Sequence, residues 1–311
     1  MTAQPQQGGD RMQGEATVPA EVQRVWDRQS VWSQSADRLN RLIGRTRLAS
    51  LVLGAAAAVM GAAAAQTMDF GLLGELLAFG AAVAAALVPL TARSAGPDAV
   101  RDWTRLRSIS EALKSEVYLH LAGVGRYRGA PGPGPLLDEA ERIEADGADL
   151  LPRLAGIEPV TRTPPAVSGI GSYVTERIQG QLDGYYRPKA LRMGRSVRIV
   201  RRIEVALGAA GAVAGAVAGA FQVGEIAAWV AVFAMLAAAV GTHAAAAKYE
   251  YRQLEYTRTA EQLTRLLARR ERNAPSTADD DAFVAECELV ISAQNEAWMA
   301  KVSGNDAPAL P

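Results

Sequence analysis

The sequence predicts an all-α membrane protein with four transmembrane helices, arranged as two parallel-repeat hairpins and extended by cytoplasmic amphipathic helices. Three observations predict it. Four long stretches carry no charge, Leu48 to Met68, Leu76 to Ala92, Val205 to Gly224 and Ile226 to Ala247. Each is close to the ~20 residues an α-helix needs to cross the hydrocarbon core with its backbone satisfied internally. The stretches come in two pairs, and matching residues follow each pair at the same separation: Glu111 with Leu113, then Glu261 with Leu263. Basic residues flank the stretches on one side only. Ala-rich helices buried in a soluble bundle are the rival reading, because Ala contributes little to transfer into lipid. Length, pairing and one-sided flanks weigh against it.

Taken in order, residues 1–19 are polar and read as a disordered tail. The first unit runs from 20 to 128. It opens on a stripe of Val22, Val25, Gln29, Trp32, Ala36, Leu39 and Ile43, whose alternating steps of three and four give one apolar helix face. Spans at about 48–68 and 72–92 follow, then the amphipathic helix bearing Glu111. Because the first apolar stretch lies behind Trp26 and Trp32, it does not read as a signal peptide. Residues 129–171 form a Pro/Gly-rich linker, since Gly129 to Pro135 and the group Pro159, Pro164, Pro165 forbid regular helix. A short helix is expected between them, around Leu136 to Asp146.

The second unit runs from 172 to 302. Tyr173, Ile178, Leu182, Tyr185 and Tyr186 precede Pro188, and the helix runs on into spans at about 203–224 and 226–247. A stripe of Tyr249, Tyr256, Ala260, Leu263 and Leu267 follows. A last helix starts near Ser276 and Thr277, with Asp279 to Asp281 favourable to its N-terminal dipole. Its apolar face holds Phe283, Cys287, Ile291 and Trp298. Residues 303–311 are a second tail.

Charge fixes the expected orientation. Arg41, Arg45 and Arg47 precede span one, Arg93, Arg101, Arg105 and Arg107 follow span two, Arg195, Arg198, Arg201 and Arg202 precede span three, and Lys248, Arg252 and Arg258 follow span four. The hairpin loops carry Asp69, Glu75 and Glu225 and no base. Both termini and the central connection are therefore expected on the cytoplasmic side. The 33 basic and 33 acidic residues cancel, so the basic excess of a nucleic-acid binder is missing and no nucleic-acid partner is expected. A single cysteine, Cys287, allows no internal disulfide.

No catalytic cluster is visible. There is no HExxH, P-loop or paired-Cys pattern, and Gly132-Pro-Gly134 and Gly169-Ile-Gly171 sit in linker rather than at a strand-to-helix junction. We expect no enzyme activity, no catalytic residue, no cofactor and no metal. Four other features are candidates for function. Gly211, Gly215 and Gly219 form a double GxxxG on span three, which lets another helix approach closely, either span four or a second copy. Lys189, Arg192, Arg195, Arg198 and Arg201 recur every third residue, the spacing of a voltage-sensing helix. A full span follows them, so a juxtamembrane stem facing anionic lipid is the better reading. His243 is the only ionisable residue inside the four stretches, either a polar intramembrane site or a residue bonded to a neighbouring helix. Asp69, Glu75 and Glu225 either ring an outer mouth or are solvated turns.

The second half resembles the SLATT family, two-transmembrane effector domains associated with nucleotide-second-messenger modules in bacterial conflict systems. The resemblance rests on Tyr185-Tyr186-Arg-Pro-Lys189-Ala190 before the hairpin and Tyr256-Thr-Arg-Thr-Ala260-Glu261-Gln-Leu263 after it. Phe283, Glu286-Cys-Glu288 and Asn295-Glu296-Ala-Trp298 match the closing helix. With Val31-Trp32-Ser-Gln-Ser-Ala36, the first half is similar to a more diverged member, giving a tandem architecture. The resemblance implies a multi-pass protein of the bacterial inner membrane and a non-enzymatic effector. Such an effector forms pores or perturbs the bilayer upon oligomerisation or a partner signal, as in anti-phage defence. The implied partners are the lipid bilayer, further copies in a homo-oligomer and a nucleotide-signalling protein. A membrane-anchored interaction scaffold is the alternative; a housekeeping channel or transporter is disfavoured because no span is visibly broken.

Overall fold

The first amphipathic stripe and the first apolar stretch form one helix, α1 (Ala20–Thr67). In this computed structural model residues 19–68, 71–93, 95–129, 132–272 and 276–302 are described, without the side chains of 92–93 and 294–302. Helices α2 (Leu72–Arg93) and α3 (Pro97–Ala122) complete the first half, followed by α4 (Gly134–Ala145). The second half holds α5 (Ile170–Phe221), α6 (Gly224–Ala247), α7 (Tyr249–Arg272) and α8 (Thr277–Val302). No strand occurs among the described residues. Four of these helices are long and apolar enough to cross a membrane, and the chain is an all-α membrane protein.

Within the spans, α2 packs on α1, α1 on α6, and α6 on α5. Polar side chains join the two hairpins at both ends. At the loop end Gln66 donates to the Glu225 carbonyl at 3.1 Å and accepts from the Trp229 indole at 3.2 Å. At the opposite end Arg47 donates to the Ala246 carbonyl at 3.0 Å. Contacts between equivalent ends make the hairpins parallel. The first loop closes at Gly74, where a Cβ would stand 2.8 Å from both the Thr67 carbonyl oxygen and the Met68 Cα, so only glycine fits. The outward faces carry Leu72, Phe79, Val205 and Phe221, all about two-thirds exposed or more. Such a continuous apolar surface suits hydrocarbon as its solvent.

Beyond the spans, the stem helices form a packed domain with two joined cores. In the first, every member of the predicted α1 stripe is buried. Val22, Val25, Trp32, Ala36, Leu39 and Ile43 meet Leu106, Ile109 and Leu113 of α3 and Leu136, Ala140 and Ile143 of α4. Trp32 donates to Glu144 at 3.0 Å, and Gly147 lets the chain pass over it, since a Cβ there would collide with Ile109 Cδ1 and lie 2.8 Å from Trp32. In the second core, Tyr173, Ile178, Leu182 and Tyr186 of α5 meet Tyr256, Ala260 and Leu263 of α7 and Phe283, Val284, Cys287 and Ile291 of α8. The α5 residues are spaced by five, four and four. That spacing shares a face because α5 is π-wound over Val174–Gln179 and Leu182–Tyr186. The second wide stretch ends just before Pro188, where it eases the clash of a proline ring inside a helix.

The expected linker is no free tether. Its short helix is α4, within two residues of the predicted bounds. Past a 3₁₀ turn at Ala148–Arg153, the chain runs back along α1. Ser35 donates to the Arg153 carbonyl, Gln34 to Glu158, and Gln23 to Arg162, while the Val160 amide donates to Ser30. Helix α8 opens on a reciprocal cap, in which the Asp279 amide donates to Ser276 Oγ and the Ser276 amide to the Asp279 carboxylate. The Trp298 side chain lies outside the described residues.

Candidate functional site

The glycine ridge of α5 turns gradually away from its neighbour. A Cβ on Gly211 would lie 3.5 Å from Phe233 and one on Gly215 3.8 Å from Val230, both on α6, whereas Gly219 faces open space. The ridge is thus divided: its first glycine packs inside the hairpin and its last is available to something else. Glu204, one residue ahead of the uncharged stretch, points at Gly241 of α6, where a Cβ would stand 2.9 Å from its carboxylate. A side chain at 241 would displace this acid.

His243 is half-buried near the stem end of α6, 6.5 Å from the Tyr249 ring. Glu75 and Glu225 are exposed at the loop end, and Asp69 lies outside the described residues. Of the basic series on α5, Arg192, Arg195, Arg198 and Arg201 are exposed, while Lys189 is half-buried with its ammonium 5.6 Å from the Tyr185 ring centre. Exposed guanidinium groups on a stem at the membrane boundary match what anionic head groups attract.

The most concentrated chemistry lies in the extramembrane domain, where α3, α5 and α8 meet. Arg177 of α5 has a fully buried side chain. Its Nε donates to Glu288 Oε1 at 2.9 Å and its Nη2 to Oε2 at 2.8 Å, a bidentate pair. The same carboxylate accepts from the Tyr173 hydroxyl and from Ser115 Oγ, each at 2.8 Å. Tyr118 stacks below the guanidinium, 4.7 Å from ring centre to Cζ. Glu111 stands 4.0 Å from Arg177 Nη1 and pairs with Arg107 at 2.7 Å. Burial opposes ionisation of Glu288, but the Arg177 charge and the bonds from Arg177, Ser115 and Tyr173 outweigh it and hold the carboxyl below its ordinary value. Glu111 is lowered in the same way, burial being overcome chiefly by Arg107. Cys287 next door has its thiol pushed up to about 12, mainly by burial, and stays an inert core residue.

A cavity of about 410 Å³ opens beside this centre, lined by Glu116, Glu139, Arg126 and Arg142 as well as Arg177 and Glu288. The centre joins the halves, because Ser115 and Glu111 belong to the first and Arg177 and Glu288 to the second. Sequence reading did not assemble it, although Glu111 and Glu288 stood among the residues quoted. The available signal was Arg177 itself, one helical turn after Tyr173 and next to Ile178 on an apolar face, where a charge survives only if paired. Both hydroxyls of the centre, Ser115 and Tyr173, donate to the Glu288 carboxylate. What it can do is lock α8 and α3 onto α5, the helix that continues as span three.

Residues 173–298 match the family model of the SMODS and SLOG-associating 2TM effector domain 1. Residues 30–132 match a second model, that of a protein of unknown function (DUF4231). No curated protein and no solved structure matches the chain.

Proposed function

We propose, from the premise that this chain belongs to the SLATT family of membrane proteins, that it is a non-enzymatic effector lodged in the bacterial inner membrane with both termini cytoplasmic. It breaches the bilayer after oligomerising or receiving a partner's signal, in a conflict or anti-phage system. The observation that carries this reading is continuity: α1 and α5 each run unbroken from the extramembrane core through a span. A rearrangement of the core, centred on Arg177 and Glu288, therefore turns or tilts spans one and three directly. The spans of one chain pack side by side with apolar faces outward, so a conducting state needs several copies. Such a switch moves only as far as a partner's preference for the open form takes it. A nucleotide-signalling protein as that partner is supported by the association that the matched domain's name states.

The test is forced clustering. An oligomerisation tag fused to the C-terminus should depolarise the host membrane and slow growth, and replacing residues 205–247 with an inert leucine-rich hairpin should abolish both effects while insertion is kept. Clustered, inserted protein that leaves membrane potential and dye exclusion unchanged would sink the effector reading and favour the scaffold.

A further inference from the structure

Where the stem ends of the two hairpins meet, the chain encloses a cavity of about 220 Å³. Three elements from both halves wall it: α1 at its entry into span one, Ala95 to Pro97 with the first turns of α3, and the junction of α6 with α7. Arg47, Lys248 and Arg252 line it together with Asn40 and Trp103, and no carboxylate lines it among the described residues. Arg47 already donates to the Ala246 carbonyl, which holds its guanidinium at the wall. Lys248 is the single residue between α6 and α7, in left-handed backbone with φ of 51°. That kink turns the chain and places Lys248 and Arg252, one helical turn on, at the same opening. The volume is below the ~300–1,000 Å³ of sites that enclose whole small molecules. It suits one small, multiply bonded anionic group, with the rest of its carrier outside.

We propose that this junction is a binding site for a phosphate group, held by Arg47, Lys248 and Arg252 between the two repeats. Arginine and lysine are the side chains that hold phosphate oxygens through charge-assisted bonds. The site's depth, level with the start of span one and the ends of spans two and four, is that of a phospholipid head group. Basic pockets between transmembrane helices take anionic lipids there, and an indole such as Trp103 sits well at the same level. A bound phosphate would bridge α1 to α7, and so the first repeat to the second. This is a binding role separate from the effector activity proposed above, and its test does not pass through that activity.

The experiment is thermal unfolding of the full chain in a zwitterionic detergent, titrated with dioctanoyl phosphatidic acid, dioctanoyl phosphatidylcholine or sodium phosphate. A ligand that binds the folded form raises the midpoint in a saturable way. We expect phosphatidic acid to do so and phosphatidylcholine not. Lys248→Asn keeps a residue tolerant of left-handed backbone and Arg252→Gln keeps a similar stem; each should weaken the apparent affinity at least tenfold. Arg258→Gln, exposed elsewhere on α7, should leave it unchanged. An equal saturable shift with sodium phosphate would identify free phosphate as the source and still support the site. No shift with either phosphate-bearing anion, or shifts that survive intact in folded Lys248→Asn and Arg252→Gln proteins, would overturn it.

Discussion

Helices α3 and α7 hold equivalent places in the two halves, each following a hairpin and each carrying Glu-x-Leu, yet only part of the motif means the same thing in both. Leu113 and Leu263 are both fully buried core residues. Glu111 is buried and paired with Arg107 and Arg177, whereas Glu261 is exposed and pairs with Arg265, at 3.5 Å, on its own helix. The cause is position. Helix α3 lies between the cores, against α1 and α4 on one side and α5 and α8 on the other, while α7 packs chiefly against α5 and α8. The two helices carry the same motif, but packing of both cores around the first gives its acid a burial that the second lacks. An acid at that position is tolerated in the centre only because arginines from two helices reach it.

The largest effect should come from the arginine that the centre depends on. Arg177→Leu leaves Glu288 and Glu111 buried beside each other without their shared cation. It should cost about 3–5 kcal/mol, the scale for breaking a buried pair, read as loss of the cooperative unfolding transition in detergent. Replacing the pair together, Arg177→Met with Glu288→Leu, should recover most of that loss, because no lone charge remains. A double variant as unstable as the single one would show that the network contributes more than charge compensation.

Next comes the direct comparison of the repeats. Glu111→Gln keeps the shape but removes the charge facing Arg107 and Arg177, and should destabilise by about 1–3 kcal/mol. Glu261→Gln should be indistinguishable from the parent. Equal effects at the two positions would mean that the difference in burial has no energetic weight.

Much of this fold was legible because it rests on period and length. The four spans follow from uncharged stretches, the α1 stripe from steps of three and four, and α4 from the segment between two Pro-rich breaks. The ionic centre was not, since pairing Arg177 with Glu288 needs α8 folded back onto α5, and no local pattern fixes that return. Nor did the sequence disclose the π winding of α5. The spacing from Tyr173 to Ile178 breaks helical period, and only packing decides whether the period or the winding gives way. In the spans, the GxxxG pattern marked closeness but not its partner, because three glycines on one ridge look alike until Phe233 and Val230 are placed opposite two of them.

That division of the ridge carries the third prediction. Gly211→Leu forces a large side chain against Phe233 inside the second hairpin and should destabilise the monomer, by about 1–3 kcal/mol for overpacking. Gly219→Leu meets open space within the chain and should leave the monomer's unfolding unchanged. If copies associate through the outer part of the ridge, Gly219→Leu should reduce the oligomer fraction in mild detergent by cross-linking. A Gly219→Leu protein that unfolds early as a monomer would contradict the packing described.

The smallest effect separates the centre from its rim by pH. Glu288 has its carboxyl held below the ordinary value, burial being outweighed by Arg177 and by the bonds from Arg177, Ser115 and Tyr173. The stability it contributes is therefore complete above its unfolded pKa of about 4.5. It is lost as pH falls through the lower folded value, when the unfolded state takes up the proton first. Glu116, at the cavity's rim, is displaced the other way. Burial raises its carboxyl despite the bond from the Tyr127 hydroxyl at 2.6 Å, so it favours the folded state when protonated and opposes it once ionised. Unfolding midpoints taken from pH 7 down to pH 3 should fall below about pH 4.5 in the parent. The fall should be shallower in Glu288→Gln, which starts from a lower midpoint at neutral pH. It should be steeper in Glu116→Gln, where the opposing term is gone. Glu261→Gln, the exposed counterpart of Glu111, should follow the parent throughout. A Glu288→Gln curve parallel to the parent's would place the acid sensitivity elsewhere and remove Glu288 as its source.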